Sequence, residues 1–168
     1  MTPGSLVVCV DDEKTSIDMV GGESWSIPVG PISLVDGELE HADRPTPAQL
    51  TNAIGIASDH LDDVIRAAPM VLDAPLVTVA GRHALVLARV ELGLDDVPDD
   101  YVLQRADADE VFRTLVAEPI AERVHNPGLP ADDVETVIGT CCVVLAAMRR
   151  LELTSVAVTA TAPTSERD

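Results

Sequence analysis

Three short segments rich in β-branched residues follow one another at the start of the chain, and this order constrains the fold more than any other feature. They cover residues 6–10, 15–20 and 24–29, and only the sequences DDEK and GGE separate them. Runs of this length and composition are typical of β-strands, and connections this short join neighbouring antiparallel strands. The sequence therefore predicts an antiparallel meander that ends where Gly30 and Pro31 break the third strand.

Helical patterns dominate the remainder of the chain. Apolar residues recur at helical spacing over 50–65, with Thr46 as the expected N-cap. A buried strand is predicted at 76–80, and a glycine separates it from a helix that ends at Leu92. Further helices are predicted from Asp107 or Asp109 to Ala117, at 119–124 and at 132–151, before a last strand at 155–159. This order indicates an α/β fold with a mixed sheet of about five strands and flanking helices.

Composition limits the core and the partners. Trp25, Tyr101 and Phe112 are the only aromatic residues among 168, so the core must be aliphatic. The formal net charge is −18, whereas nucleic acids and anionic membranes favour proteins rich in Lys and Arg. We therefore expect neither nucleic acid nor a membrane as a partner. The sequence contains no apolar run of roughly 20 residues and no signal peptide, which predicts a cytoplasmic protein.

Four stretches of the sequence carry a family resemblance. LVVCVDDEKTSIDMV and VTVAGRHALVLARVELGL each join a strand to a turn, WSIPVGPISL contains a Val-Gly turn, and AERVHNPGLPADDVETVIGTCCVVLAAMRRLELTSVAVT joins a Pro-Gly-Leu loop to a glycine-bearing helix and a strand. These stretches resemble the C-terminal half of the exopolyphosphatase and guanosine pentaphosphatase (Ppx/GppA) family. The resemblance implies a single actin-like ATPase (ribonuclease H-like) lobe over residues 1–160, with a disordered tail at 161–168.

The first strand–turn stretch departs from the family at the turn that contacts phosphate. In the family the backbone N–H groups of glycine turns cradle the phosphates. The resemblance places Asp11, Asp12 and Glu13 where the family has three glycines. A carboxylate repels a phosphate charge about 4 Å away by roughly 1 to 4 kcal/mol, depending on the dielectric. Of the family's following Ser-Thr-Glu only Thr15 matches, and Lys14 precedes it.

The second strand–turn stretch keeps its glycine but changes its neighbours. Gly81 is present, while Arg82 and His83 replace the threonine-containing word of the family. A cation beside a glycine turn can hold an anion, although a surface arginine that caps the turn is the preferred interpretation. Ser33 and Asp132 stand where the family has two further arginines. The resemblance therefore implies degenerate phosphate loops.

Two functions from different classes follow from these residues. The family takes its catalytic acid from an N-terminal lobe, for which this sequence has no counterpart, so no catalytic residue is assigned and no cofactor is expected. We predict a non-catalytic interaction or regulatory module that forms a homodimer or binds a protein such as a full-length phosphatase. The alternative is binding or hydrolysis of polyphosphate or guanosine polyphosphate, carried by Lys14, Gly81 and Arg82, with Mg²⁺ as a possible cofactor.

Other chemistry has little support in the sequence. The three acids of the first turn could bind Mg²⁺ or Ca²⁺, but a solvated acidic turn is the preferred interpretation. The four histidines are scattered, with no i, i+4 pair and none near a cysteine, so no metal site is predicted. Cys141 and Cys142 lie on different faces of the predicted last helix, and we expect the cysteines to be buried apolar residues in a reducing compartment.

Overall fold

A computed structural model describes residues 2–161, so all of the predicted tail except Thr161 lies outside the described residues. Its six strands form one sheet in the order β3-β2-β1-β4-β6-β5. Two 3₁₀ helices cover Pro69–Asp73 and Ala131–Asp133. The strands and helices are β1 (Leu6–Val10), β2 (Thr15–Met19), β3 (Ser24–Ile27), α1 (Pro31–Asp36), α2 (Pro47–Ala67), β4 (Val77–Ala80), α3 (Arg82–Leu92), β5 (Val102–Gln104), α4 (Arg105–Ala117), α5 (Ile120–Arg123), α6 (Thr136–Arg150) and β6 (Ser155–Thr159).

The meander and the mixed sheet are confirmed, but the strand number is corrected from five to six. Strands β1, β2 and β3 pair antiparallel, while β1–β4 and β4–β6 are parallel pairs. The additional strand is β5, which pairs antiparallel with β6 at the edge of the sheet. It has only three residues, of which Leu103 alone is buried. A strand this short contains no alternating pattern that sequence analysis can detect.

The sheet shares its core with the helices through one face only. Leu6, Val8 and Val10 of β1 point to this face and belong to the same core cluster as the helices. Val7 and Ala80 point the other way; they are buried but lie outside that cluster.

Helix α6 forms the centre of the core. Every residue from Val137 to Met148 is buried, which agrees with the wide apolar pattern in the sequence. Gly139 allows α1 to approach closely, because a Cβ atom there would lie 2.5 Å from the carbonyl oxygen of Pro31. Helices α1, α2, α3 and α4 all pack against α6. The aliphatic core predicted from composition is therefore assembled around one helix.

The structure confirms one predicted helix start and corrects another. Thr46 caps α2 as predicted: its hydroxyl accepts from the Gln49 backbone N–H at 3.2 Å, and the Gln49 side chain accepts from the Thr46 N–H at 2.9 Å. The predicted start of α4 was wrong. That helix begins at Arg105, directly after β5, and the Arg105 N–H donates to the carbonyl of Thr154 at 2.8 Å. No helix in the described part of the chain is both long and apolar enough to cross a membrane.

Candidate functional site

The acidic turn between β1 and β2 packs against the start of α1. The backbone N–H of Asp11 donates to the carbonyl of Lys14 at 3.0 Å, which closes the turn. The N–H of Ile32 donates to the carbonyl of Asp12 at 2.8 Å. A Cβ atom on Gly30 would lie 2.5 Å from the carbonyl oxygens of Asp11 and Asp12, so only glycine allows this approach. The fold thus brings two of the turns identified in the sequence together.

The turn between β4 and α3 lies beside the acidic turn. Gly81 has a φ of 110°, and a Cβ atom there would lie 2.8 Å from the carbonyl oxygen of Val10. The neighbouring His83 ring is buried, and its Nε2 lies 2.7 Å from Oδ1 of Asp12. Because β1 and β4 are parallel neighbours, their carboxyl ends meet at one edge of the sheet. The Asp12–His83 pair therefore links the two turns that the resemblance identifies with phosphate loops.

Arg82, the cation best placed to attract an anion, is paired with a carboxylate. One of its terminal nitrogens lies 2.6 Å from Oδ1 of Asp133. The Arg82 side chain is 61% exposed, whereas that of Asp133 is only 3% exposed. The sequence pointed to Asp132 in this loop and missed Asp133, because no local pattern relates two residues 51 positions apart. Arg82 thus neutralises a buried carboxylate.

The other predicted site residues are structural or exposed. The Thr15 hydroxyl is buried and donates to the carbonyl of Val29 at 2.8 Å, so it stabilises the meander. Asp11, Glu13 and Lys14 are exposed and line a shallow depression together with Asp12 and Ile32. Formal charges in this turn sum to −2, from three acids and one lysine. An acidic depression of this kind repels phosphate groups.

Ser33 and Cys9 also have local roles. The Ser33 hydroxyl donates to the carbonyl of Gly30 at 2.9 Å and accepts from its N–H at 2.8 Å, which caps α1. Burial, and then the carboxylate of Asp11, raise the pKa of the Cys9 thiol. A raised pKa disfavours the thiolate, the nucleophilic form.

The potential metal-binding side chains of residues 2–161 are dispersed. In that part of the chain no group of three or more His, Cys, Asp and Glu side chains has an arrangement that could bind a metal ion. Burial raises the pKa of Cys142 to about 12 and also raises that of Cys141, so both thiols remain protonated. These two cysteines lie within the core, as the sequence predicted, whereas Cys9, also expected to be buried, is only partly buried because it points to the face of the sheet outside the main core.

Solved structures with a similar fold are known, although the sequence itself has no significant match. No family model matches the sequence, and no curated protein matches it significantly. A solved exopolyphosphatase-like protein is similar, with a TM-score of 0.84 and 17% identity over 95% of this chain and 56% of that one. The Ppx/GppA phosphatase of Aquifex aeolicus gives 0.81 and 16% over 95% and 54%. An exopolyphosphatase from Cytophaga hutchinsonii gives 0.74 and 13% over 94% and 53%.

These matches confirm the actin-like α/β lobe predicted from the sequence. More particularly, the chain has the fold of one lobe of the Ppx/GppA proteins. It spans about half the length of the solved structures that it matches. At 13–17% identity the likeness concerns the fold, and the chemistry has to be argued from the residues of this chain.

Proposed function

We propose that this chain is a non-catalytic Ppx/GppA-like lobe that acts as an interaction or regulatory module. The observation that supports the proposal most is the pairing of the basic side chains in the second turn. Arg82 is bonded to Asp133, and the His83 ring is bonded to Asp12. Both basic side chains of the second turn are therefore bonded to carboxylates of the chain itself, and Lys14 lies beside the three acids of the first turn.

The energetic balance supports the same proposal. A phosphate that drew Arg82 away would leave the buried Asp133 carboxylate without its cation, and a buried polar group without a partner costs about 1–3 kcal/mol or more. The ligand would also approach the three carboxylates of the acidic turn. Solvent reduces both effects, because Arg82 and the turn are exposed. Both effects nevertheless oppose phosphate binding.

We infer that the partner is a protein, either a second copy of this chain or a full-length Ppx/GppA-type phosphatase. This chain covers only 56% and 54% of two solved structures with this fold, so a little under half of each lies outside the matching lobe. The apolar side chains of Met70, Leu72 and Leu76 are exposed within one short segment before β4, and such a segment offers a surface on which another lobe could pack. The free thiols are in keeping with a reducing compartment, which favours the cytoplasm.

Light scattering tests the interaction directly. We expect the purified chain to have the mass of a dimer, or to form a stoichiometric complex when mixed with a full-length Ppx/GppA phosphatase. A Leu76→Asp substitution in this exposed segment should weaken the association, whereas Thr51→Asp on the exposed side of α2 should not. A monomer that binds neither a second copy nor the phosphatase would refute the proposal.

Ligand titration tests the alternative function. Calorimetry with polyphosphate and with guanosine tetraphosphate, in Mg²⁺ at low salt, should show no heat of binding and no rise in melting temperature. The opposite result, with binding that disappears in an Arg82→Ala variant, would establish phosphate binding at the second turn. Binding that an Arg82→Ala variant retains would place the ligand elsewhere.

A further inference from the structure

A depression of about 450 Å³ lies beside α3 and the loop that leads to α6. It shares no lining residue with the depression of the acidic turn. This volume falls within the range of small-molecule sites, roughly 300–1,000 Å³. Its lining contains two arginines, two aspartates and four apolar residues: Arg82, Leu85, Val86, Arg89, Pro130, Asp132, Asp133 and Ala160.

Two of the residues that line this depression contain buried polar atoms without a partner. Among the described residues, three buried side-chain nitrogen or oxygen atoms have no hydrogen-bond partner: Oγ of Ser5, Nε of Arg89 and Oδ2 of Asp133. Buried polar groups in native proteins are almost always paired. The depression therefore combines one unpaired donor, on Arg89, with one unpaired acceptor, on Asp133.

The unpaired acceptor belongs to a fixed carboxylate. The Asp133 side chain is 3% exposed, and its Oδ1 is bonded to Arg82. The hydroxyl of Thr136, in the first turn of α6, donates to the backbone carbonyl of Asp133 at 3.4 Å. Asp133 is thus held just before α6, and its Oδ2 has no hydrogen-bond partner. Arg82 holds the other oxygen, Oδ1, and its side chain is 61% exposed, so it is free to move when a ligand enters.

The chemistry of the lining defines the class of ligand. Two arginines and two aspartates balance one another, so a ligand without net charge fits better than a polyanion. Asp133 requires a donor, Arg89 requires an acceptor, and Leu85, Val86 and Pro130 provide an apolar wall. We propose that this depression binds a free aliphatic amino acid, whose ammonium group donates to Asp133 Oδ2 and whose carboxylate accepts from Arg89 Nε–H. This site is independent of the proposed protein interaction.

Calorimetric titration with L-leucine tests the site. We expect saturable binding to the full chain. N-acetyl-L-leucine lacks the ammonium charge and L-leucinamide lacks the carboxylate, so each should bind at least about tenfold more weakly, the effect of losing one charged hydrogen bond. Inorganic phosphate, the probe for a simple anion site, should not compete with leucine.

Matched substitutions locate the binding. Asp133→Asn and Arg89→Lys should each weaken leucine binding at least about tenfold, since the lysine retains the charge but lacks Nε. The controls are Asp63→Asn and Arg66→Lys, which alter an exposed ion pair on α2 and should leave affinity unchanged. If Asp133→Asn fails to fold, the Arg89→Lys variant and the two leucine derivatives decide. Absence of leucine binding, binding of either derivative as tight as that of leucine, or displacement of leucine by phosphate would overturn the proposal.

Discussion

Replacing Arg123 by methionine should destabilise this protein more than any other arginine substitution. Arg123 is only 1% exposed, and all of its hydrogen bonds to the described residues go to backbone carbonyls, none to a carboxylate. Its terminal nitrogens donate to the backbone carbonyls of Val134, Asp43 and Glu118 at 2.9 Å, and its Nε donates to that of Leu115 at 3.3 Å. Burial lowers the pKa of this guanidinium, but an arginine remains charged inside proteins. One side chain thus connects the end of α4 to two distant segments, at Asp43 and at Val134.

The expected loss of stability follows from the number of hydrogen bonds that Arg123 makes. Methionine has a similar length but donates to none of the four carbonyls, and a buried acceptor without a donor costs about 1–3 kcal/mol. Some of these carbonyls will recruit water, so we take about 1 kcal/mol for each and expect a loss of about 4 kcal/mol in the free energy of unfolding. For a protein of this size such a loss lowers the melting temperature by roughly 8–16 °C.

Urea unfolding followed by circular dichroism measures this difference. Arg113→Met is the matched control, because Arg113 is 72% exposed and its contact with Glu110 is a surface pair at 3.6 Å. It should change the free energy of unfolding by less than about 0.5 kcal/mol. If Arg123→Met costs less than about 1 kcal/mol, the four bonds do not stabilise the fold, and the reasoning is wrong.

Three further outcomes are expected. Gly30→Ala should lower the free energy of unfolding by about 1–3 kcal/mol, because the added methyl group overpacks against the acidic turn. Gly55→Ala lies in open space on α2 and should raise it by about 1 kcal/mol. Urea unfolding measures both changes. The carboxylates of Glu135 and Asp36 raise the pKa of His41. The charged His41 therefore stabilises the fold fully below about pH 6.5, and this contribution is lost as the pH rises through the raised pKa. His41→Gln should remove this pH dependence of stability. A thiol reagent should modify Cys9 before the buried cysteines in a timed labelling assay.

Patterns carried within single elements were predictable from the sequence. The meander, the capped helix α2 and the apolar helix α6 each follow from local periodicity or from a cap. Strand β5 was missed because its three residues owe their conformation to pairing with β6. The start of α6 was predicted at 132, but Ala131–Asp133 forms a 3₁₀ helix and α6 begins at Thr136. Tertiary context decided these boundaries.

The candidate site was predictable only in part. The acidic turn, Gly81 and Arg82 could be identified from their resemblance to phosphate loops, and the fold brings them to one edge of the sheet. Their bonding partners were not predictable. Asp133 reaches Arg82 from a distant loop, and Arg123 was not recognised as a buried residue because its four acceptors are backbone atoms. Contacts between distant segments leave no periodic signal in a single sequence.

Release of orthophosphate from long-chain polyphosphate tests the central claim most directly. The purified chain, assayed with Mg²⁺ at neutral pH, should release no more orthophosphate than a buffer blank, because Asp12 and Asp133 bind the basic side chains of the second turn. Turnover above the blank that an Arg82→Ala substitution abolishes would contradict this account, since it would show that Arg82 serves a phosphate chain.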